Sequence, residues 1–454
     1  MSINKALSDP LFKFPVRNVS PINMESPNAP ITIHDGGFKL CKEGNTLVML
    51  GKVTFCWQPN LGVKFEGEIL AGYLSNTQPD FSSYILEIDD FKFGEASILE
   101  MATSFQNGKS TIKGKVPNAT WKNGLVPVNV IRFGVANFRD WMGACVTDDG
   151  SEFENFERAR ITLEDSDYII NLDKVKHYSD RLKQIEISGG YMLLYAGAIH
   201  KKKGTINLEQ LKNWMPCLCQ FLNFLNGRRV SPLFYSGLQK DDILWTDYIG
   251  YPNDPYTNSI ISWSENIDPR YINASWIKFN KLWSDPNSKS FLESLIHWYI
   301  ESNNQSGFVE GSIIMAQIAL ELLFNWFVVE ERKIIRDDPN LSASNKIRLL
   351  ISQFGLSCDI PMDFKKLSPW SKKTGFDGPE ALVHIRNIFV HSKEKNRKKV
   401  KEIDSEVIHE AHQLALWYIE IATLNILDYS GFYHNRTILD NNVNSVVSLP
   451  RIIQ

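Results

Sequence analysis

Cysteine is sparse and unpaired in this chain. Six stand in 454 residues, at Cys41, Cys56, Cys145, Cys217, Cys219 and Cys358, and no CxxC spacing occurs. Cys217 and Cys219 sit two apart in a helical stretch and face different directions there, so neither a zinc site nor a disulfide framework is expected. The sequence also lacks a Walker A loop, a GxGxxG after a strand, HExxH and GxSxG. No cofactor and no metal site are therefore expected. Excess charge is missing too: the formal net charge is −3, which excludes binding nucleic acid through the overall field of the molecule. The chain opens without an apolar core of signal-peptide length, and a cytoplasmic location is the expectation. One apolar run, residues 311–329, approaches the length of a membrane span, but it carries Gln317, Glu321 and Asn325. A central acidic residue costs roughly 2.5–3.5 kcal/mol on insertion, so the run reads as a buried bundle helix and no membrane is expected.

What is present suggests an α+β multidomain protein, an antiparallel β-rich region followed by an all-α bundle. Length alone implies two or three domains. Residues 1–30 hold five prolines without a sustained period and read as an extended leader. Between 31 and 200, short runs such as 47–57, 63–70, 83–88, 110–116 and 128–133 alternate apolar and polar residues. Asn, Gly, Asp and Pro clusters separate them, the pattern of an antiparallel sandwich or barrel. Residues 201–268 read as a mixed connector with a helix over 208–225, kinked or split at Pro216 and ended by Gly227. Apolar residues at helical spacing fill 269–430. Asp285 with Pro286 opens one helix, Ser344 caps another and Asp404 or Ser405 opens the last. Residues 431–454 read as a tail.

The helix opened by Gly378-Pro379, fifth in this run, carries the chemistry. Leu382, Ile385 and Phe389 form its apolar stripe, bordered by Arg386. His384, Asn387 and His391 fall at i, i+3 and i+7 and share a polar stripe. From 364 to 401 the chain holds 11 Lys and Arg against 3 Asp and Glu, and Lys393, Lys395, Arg397 and Lys398 follow the stripe directly. A solvated basic face and a phosphate-binding surface both fit that charge. A histidine can exchange protons near neutral pH, and an arginine can stabilise charge building on a phosphate. Upstream, Glu310, Gln317, Glu321 and Asn325 trace a polar line down an otherwise apolar helix. Either it is solvated, or Glu321 or Gln317 faces the fifth helix and supports Arg386 or His391 from behind. His409 and His412, three apart on the last helix, read as a surface pair.

Arg386, Asn387 and, four positions after Asn387, His391, on a late helix of a bundle, resemble the Arg-x4–6-His signature of HEPN domains. Together with the upstream AQIALELLFNWF helix and a β-rich region in front, the layout resembles the Apea-like HEPN family of abortive phage infection proteins. The resemblance implies a metal-independent endoribonuclease acting as a homodimer on RNA. Arg386 would contact the scissile phosphate, Asn387 would orient the phosphate or the histidine, and His391 would move a proton between the ribose 2′-OH and the leaving oxygen. His384 and Glu321 would support them, the basic residues 393–398 would hold RNA, and the N-terminal domain would sense a phage-derived trigger. A non-catalytic dimerisation or binding protein and the toxin of a toxin–antitoxin pair remain as alternatives.

Overall fold

Strands that alternate buried and exposed residues dominate the first half of the molecule. The structure is a computed structural model and describes residues 14–72, 83–103, 109–148, 156–265, 267–305, 308–390, 402–438 and 445–450. Strands β1 (Ile31–Lys42), β2 (Asn45–Cys56), β3 (Gly62–Ala71), β4 (Tyr84–Ile88), β5 (Phe91–Thr103) and β6 (Ser110–Val116) close into a barrel in the order β1-β2-β3-β6-β5-β4. Every neighbouring pair is antiparallel. The inward residues of β4 and β6 follow the two-residue period, Tyr84, Leu86 and Ile88 on one and Ile112, Gly114 and Val116 on the other. Gly114 is required where it stands, because a Cβ there would run into the ring of Phe65.

Eight further strands form one sheet in the order β7-β14-β13-β8-β12-β11-β10-β9. They are β7 (Thr120–Lys122), β8 (Val130–Ala136), β9 (Ala144–Thr147), β10 (Phe156–Glu164), β11 (Tyr168–Lys174), β12 (Leu193–Lys201), β13 (Pro232–Gln239) and β14 (Asp242–Asp247). Helix α1 (Tyr178–Ser188) precedes β12, and α2 (Leu208–Asn226) precedes β13. Two expectations change here. Residues read as a connector supply β13 and β14, which pair with the rest of the sheet. Pro216 sits inside a continuous α2 rather than splitting it, whereas Gly227, at φ +71°, follows the helix end as expected.

The leader is also built in. Val16 bridges Thr147, Met24 is buried, and the Arg17 guanidinium reaches Asp148 at 2.7 Å, Glu157 at 2.6 Å and the Lys174 carbonyl at 2.6 Å.

Chain contacts divide the molecule into two units, and residues 258–454 fall in the second, helical one. Its elements are α3 (Ile272–Trp283), α4 (Pro286–Asn303), α5 (Phe308–Leu323), α6 (Ala343–Ser352), α7 (Leu367–Thr374), α8 (Gly378–Val390) and α9 (Ser405–Ile426). Asp285 accepts from the Ser288 amide at 2.8 Å and Asp404 from the Glu406 amide at 3.0 Å, as N-caps should. Ser342, not Ser344, caps α6. Helix α5 packs against α4, α8 and α9 and runs on into a π-helical turn, Phe324–Glu331. Residues 308–331 are long and apolar enough to cross a membrane by length and composition, yet Ile313, Ala316, Leu320 and Leu323 are buried within this unit. The segment read as a tail forms a hairpin of β15 (Phe432–His434) and β16 (Val446–Ser448).

Candidate functional site

The local sequence fixes helix α8 at its start. Asp377 Oδ1 accepts from the Glu380 amide at 2.9 Å, and Arg348 of α6 pairs with Asp377 and Glu380, each at 2.6 Å. The buried stripe is Ala381, Leu382, Ile385 and Ile388. Phe389, expected in that stripe, is only half-buried. Arg386 is half-buried beside it and donates from Nη1 to Asn387 Oδ1 at 3.0 Å. Its Nε is buried and makes no hydrogen bond. Among the described residues no carboxylate neutralises this guanidinium.

The remaining candidates separate. His384 packs on the rings of Phe376 and Trp370, with centroids 4.8 and 6.2 Å away. Glu321 is exposed and pairs with Lys346 of α6 at 3.1 Å, so the expected support of Arg386 by Glu321 is not what the fold builds. Gln317 is the buried member of that polar line, with Oε1 lacking a partner. His391, Lys393, Lys395, Arg397 and Lys398 lie outside the described residues. The structure thus joins Arg386 to Asn387, turns His384 toward aromatic rings and places Glu321 elsewhere. Among the described residues no group of three or more His, Cys, Asp and Glu side chains could hold a metal ion.

A second polar cluster escaped the sequence reading. Arg436, just beyond β15, is buried and forms a two-pronged pair with Glu420 of α9, Nε to Oε2 and Nη2 to Oε1, both at 2.7 Å. It also donates to Gln413 at 3.1 Å, Asn303 at 2.9 Å and the Ile261 carbonyl at 2.7 Å. Tyr299 donates to Glu420 at 2.5 Å. Burial opposes the charge on Arg436, but Glu420 outweighs it, and the pKa rises above the usual guanidinium value. Burial, reinforced by the Glu420 charge, pushes the Tyr299 hydroxyl well up. Nearby, His412 is buried rather than on the surface, with Nε2 3.1 Å from Ser302 Oγ. Burial, helped by the positive charge of Arg436, pushes its pKa down to about 3. Each ionic atom here is paired within the protein, the arrangement of a structural staple rather than an open site.

Together, an antiparallel β unit and a helical unit carrying Arg386 on α8 define a two-part α+β protein. Comparison with known proteins places it further. Residues 123–259 match the YopA central domain and residues 285–447 the YopA C-terminal domain. The chain is similar to the SPbeta prophage-derived uncharacterized protein YopA of Bacillus subtilis (strain 168), at 26% identity over 424 residues, covering 90% of this chain and 92% of that protein. No solved structure matches. These matches overturn the resemblance to the Apea-like HEPN family, because the segment that carried it falls within the YopA C-terminal domain. An arginine and a histidine five positions apart on a helix make too short a pattern to define a family. The C-terminal match runs to residue 447 and so takes in β15, the buried Arg436 and the first two residues of β16.

Proposed function

We propose that the helical unit acts on RNA phosphodiesters at the α8 face, with Arg386 holding the phosphate and His391 moving the proton. The observation that carries this reading is the Arg386–Asn387 pair: a half-buried guanidinium, held by an amide and without a carboxylate among the described residues, shortly before His391 and a basic segment in the sequence. A guanidinium in that state gains most from an anion. Attack by a ribose 2′-OH needs positioning, proton transfer and charge stabilisation, and this reading supplies each from protein groups. Asn387 orients the phosphate. The relative's prophage origin is compatible with RNA cleavage that serves phage exclusion, in the cytoplasm, with the β-rich unit receiving a phage-derived trigger. Cleavage is expected to persist in EDTA and to leave 2′,3′-cyclic phosphate ends, read by end-labelling of the products. Loss of activity on chelation that Mg²⁺ restores would refute the route.

The active form is a homodimer on this reading. Five residues of an ideal helix turn through roughly 500°, so by sequence spacing positions 386 and 391 of a continuous helix are about 140° apart; His391 itself lies outside the described residues. One helix presents both to a single phosphate awkwardly, and two copies about a two-fold axis do so readily. Light scattering is expected to give about twice the 52.0 kDa chain mass; a monomeric active species removes the composite site. A second reading, a non-catalytic RNA-binding protein, draws on His384 lying against Phe376 and Trp370, since ring clusters of this kind stack bases. RNA retained on the protein without cleavage would select it.

A further inference from the structure

Residues 17–23 of the built-in leader pass over the start of α1 and bound a cavity of about 350 Å³ in the β-rich unit. Val19, Ile22, Val175 and Leu193 give it apolar walls, and Lys176 and Arg181 bring positive charge to it. The charges do not cancel. Arg17 is fully engaged, with Asp148 and Glu157 as its counter-ions. Asp148 is shared with Lys176 at 3.5 Å. Arg181 is half-buried and has no carboxylate partner among the described residues; its Nη2 donates to the neutral Asn23 Oδ1 at 2.8 Å. Burial alone pulls its pKa below the usual guanidinium value, since no nearby carboxylate opposes the loss of water. On the same wall, Asn18 keeps its Nδ2 buried without a hydrogen-bond partner.

A half-buried guanidinium normally has a counter-ion, because lost hydration must be replaced. Here the replacement is missing among the described residues, and a half-open cleft lies beside it. The volume is at the lower end of small-molecule sites and far larger than an inorganic ion needs, while four aliphatic side chains suit an apolar body. We propose that this cavity binds a small organic anion, an apolar body bearing one carboxylate, with the carboxylate on Arg181. The same chemistry occurs in a free carboxylic acid and at the C-terminus of an apolar peptide. Either would occupy a place formed jointly by the leader and the first turn of α1, which fits the trigger-receiving role given above to this unit, although the binding does not depend on RNA cleavage.

Calorimetry on the full-length chain tests this with four probes: hexanoate, inorganic phosphate, and the tripeptide Val-Ile-Leu with a free or an amidated C-terminus. Hexanoate or the free-acid peptide is expected to bind and the amidated peptide not. The tighter of the two binders identifies the source. Arg181→Gln is expected to weaken binding at least about tenfold, the loss of one charged hydrogen bond, and Arg181→Lys to retain part of it. Phosphate binding as strong as hexanoate, or binding unchanged in Arg181→Gln, would overturn the proposal, as would absence of binding by both carboxylate probes. Should Arg181→Gln fail to fold, the Arg181 Nε–H resonance of the wild-type protein gives the same answer: it shifts on adding hexanoate, and an unmoved signal refutes the contact.

Discussion

Glu420→Ala is expected to cost the helical unit about 3–5 kcal/mol, because it leaves Arg436 charged and buried with nothing to balance it. The geometry leaves the arginine no escape. Both Glu420 oxygens lie 2.7 Å from its nitrogens, and the remaining donors go to Gln413, Asn303 and a backbone carbonyl inside the same core. Tyr299 loses its acceptor in the same substitution. At about 2–4 °C per kcal/mol for a unit of this size, the melting temperature should fall by about 6–20 °C. The paired replacement Glu420→Leu with Arg436→Met removes both charges, and a buried pair exchanged for apolar groups is often neutral or stabilising. It is therefore expected to recover most of the loss. A Glu420→Ala shift under about 2 °C, or a double variant no better than the single, would show that the pair is not the staple its geometry describes.

This pair also marks where the sequence stopped being legible. The helices of the second unit could be read because their apolar residues repeat with the helical period and Asp285 and Asp404 announce their starts. Small displacements followed from that method: Ser342 rather than Ser344 caps α6, and Ile388 rather than Phe389 completes the α8 stripe. Glu321 fails for the same reason, since one residue beyond Leu320 the helix has already turned to solvent. The barrel strands alternate and were readable in kind. Strand β13 is buried at seven consecutive positions, so no alternation distinguishes it from a loop or a buried helix. The leader and the C-terminal hairpin carry no period at all. What holds them are single polar residues, Arg17 and Arg436, whose partners lie elsewhere in the chain, up to 157 residues away for Arg17 and 175 for Arg436. In the candidate site, Arg386 and Asn387 could be placed on one helix, but their hydrogen bond to each other was not legible, because the family resemblance assigns Asn387 to the phosphate or the histidine. The packing of His384 on Phe376 was not, because it depends on how the chain returns from α7.

His391→Ala is expected to lower the rate of RNA cleavage by about 10²–10⁴-fold, the usual worth of general acid–base help. Arg386→Ala should cost about 10²–10³-fold, as for loss of one preorganised donor to a developing oxyanion. The two substitutions must be told apart from damage to the fold, and the structure gives the means for one of them. Arg386 is half-buried, among the described residues bonds only Asn387 and leaves Nε unsatisfied, so its removal relieves a buried unpaired donor and should leave the melting temperature within about 2 °C. Arg386→Lys keeps the charge but loses the planar fork and should recover RNA binding more than rate. If Arg386 instead holds the helix through Asn387, the lysine and alanine variants will both melt early and Asn387→Ala will match them. Cleavage of total RNA by His391→Ala at the wild-type rate, or by Arg386→Ala with its fold intact, removes the ribonuclease assignment. RNA retention by the wild type without cleavage, lost in Arg386→Ala, leaves the α8 face as a binding surface, because a guanidinium attracts phosphate whether or not a proton then moves.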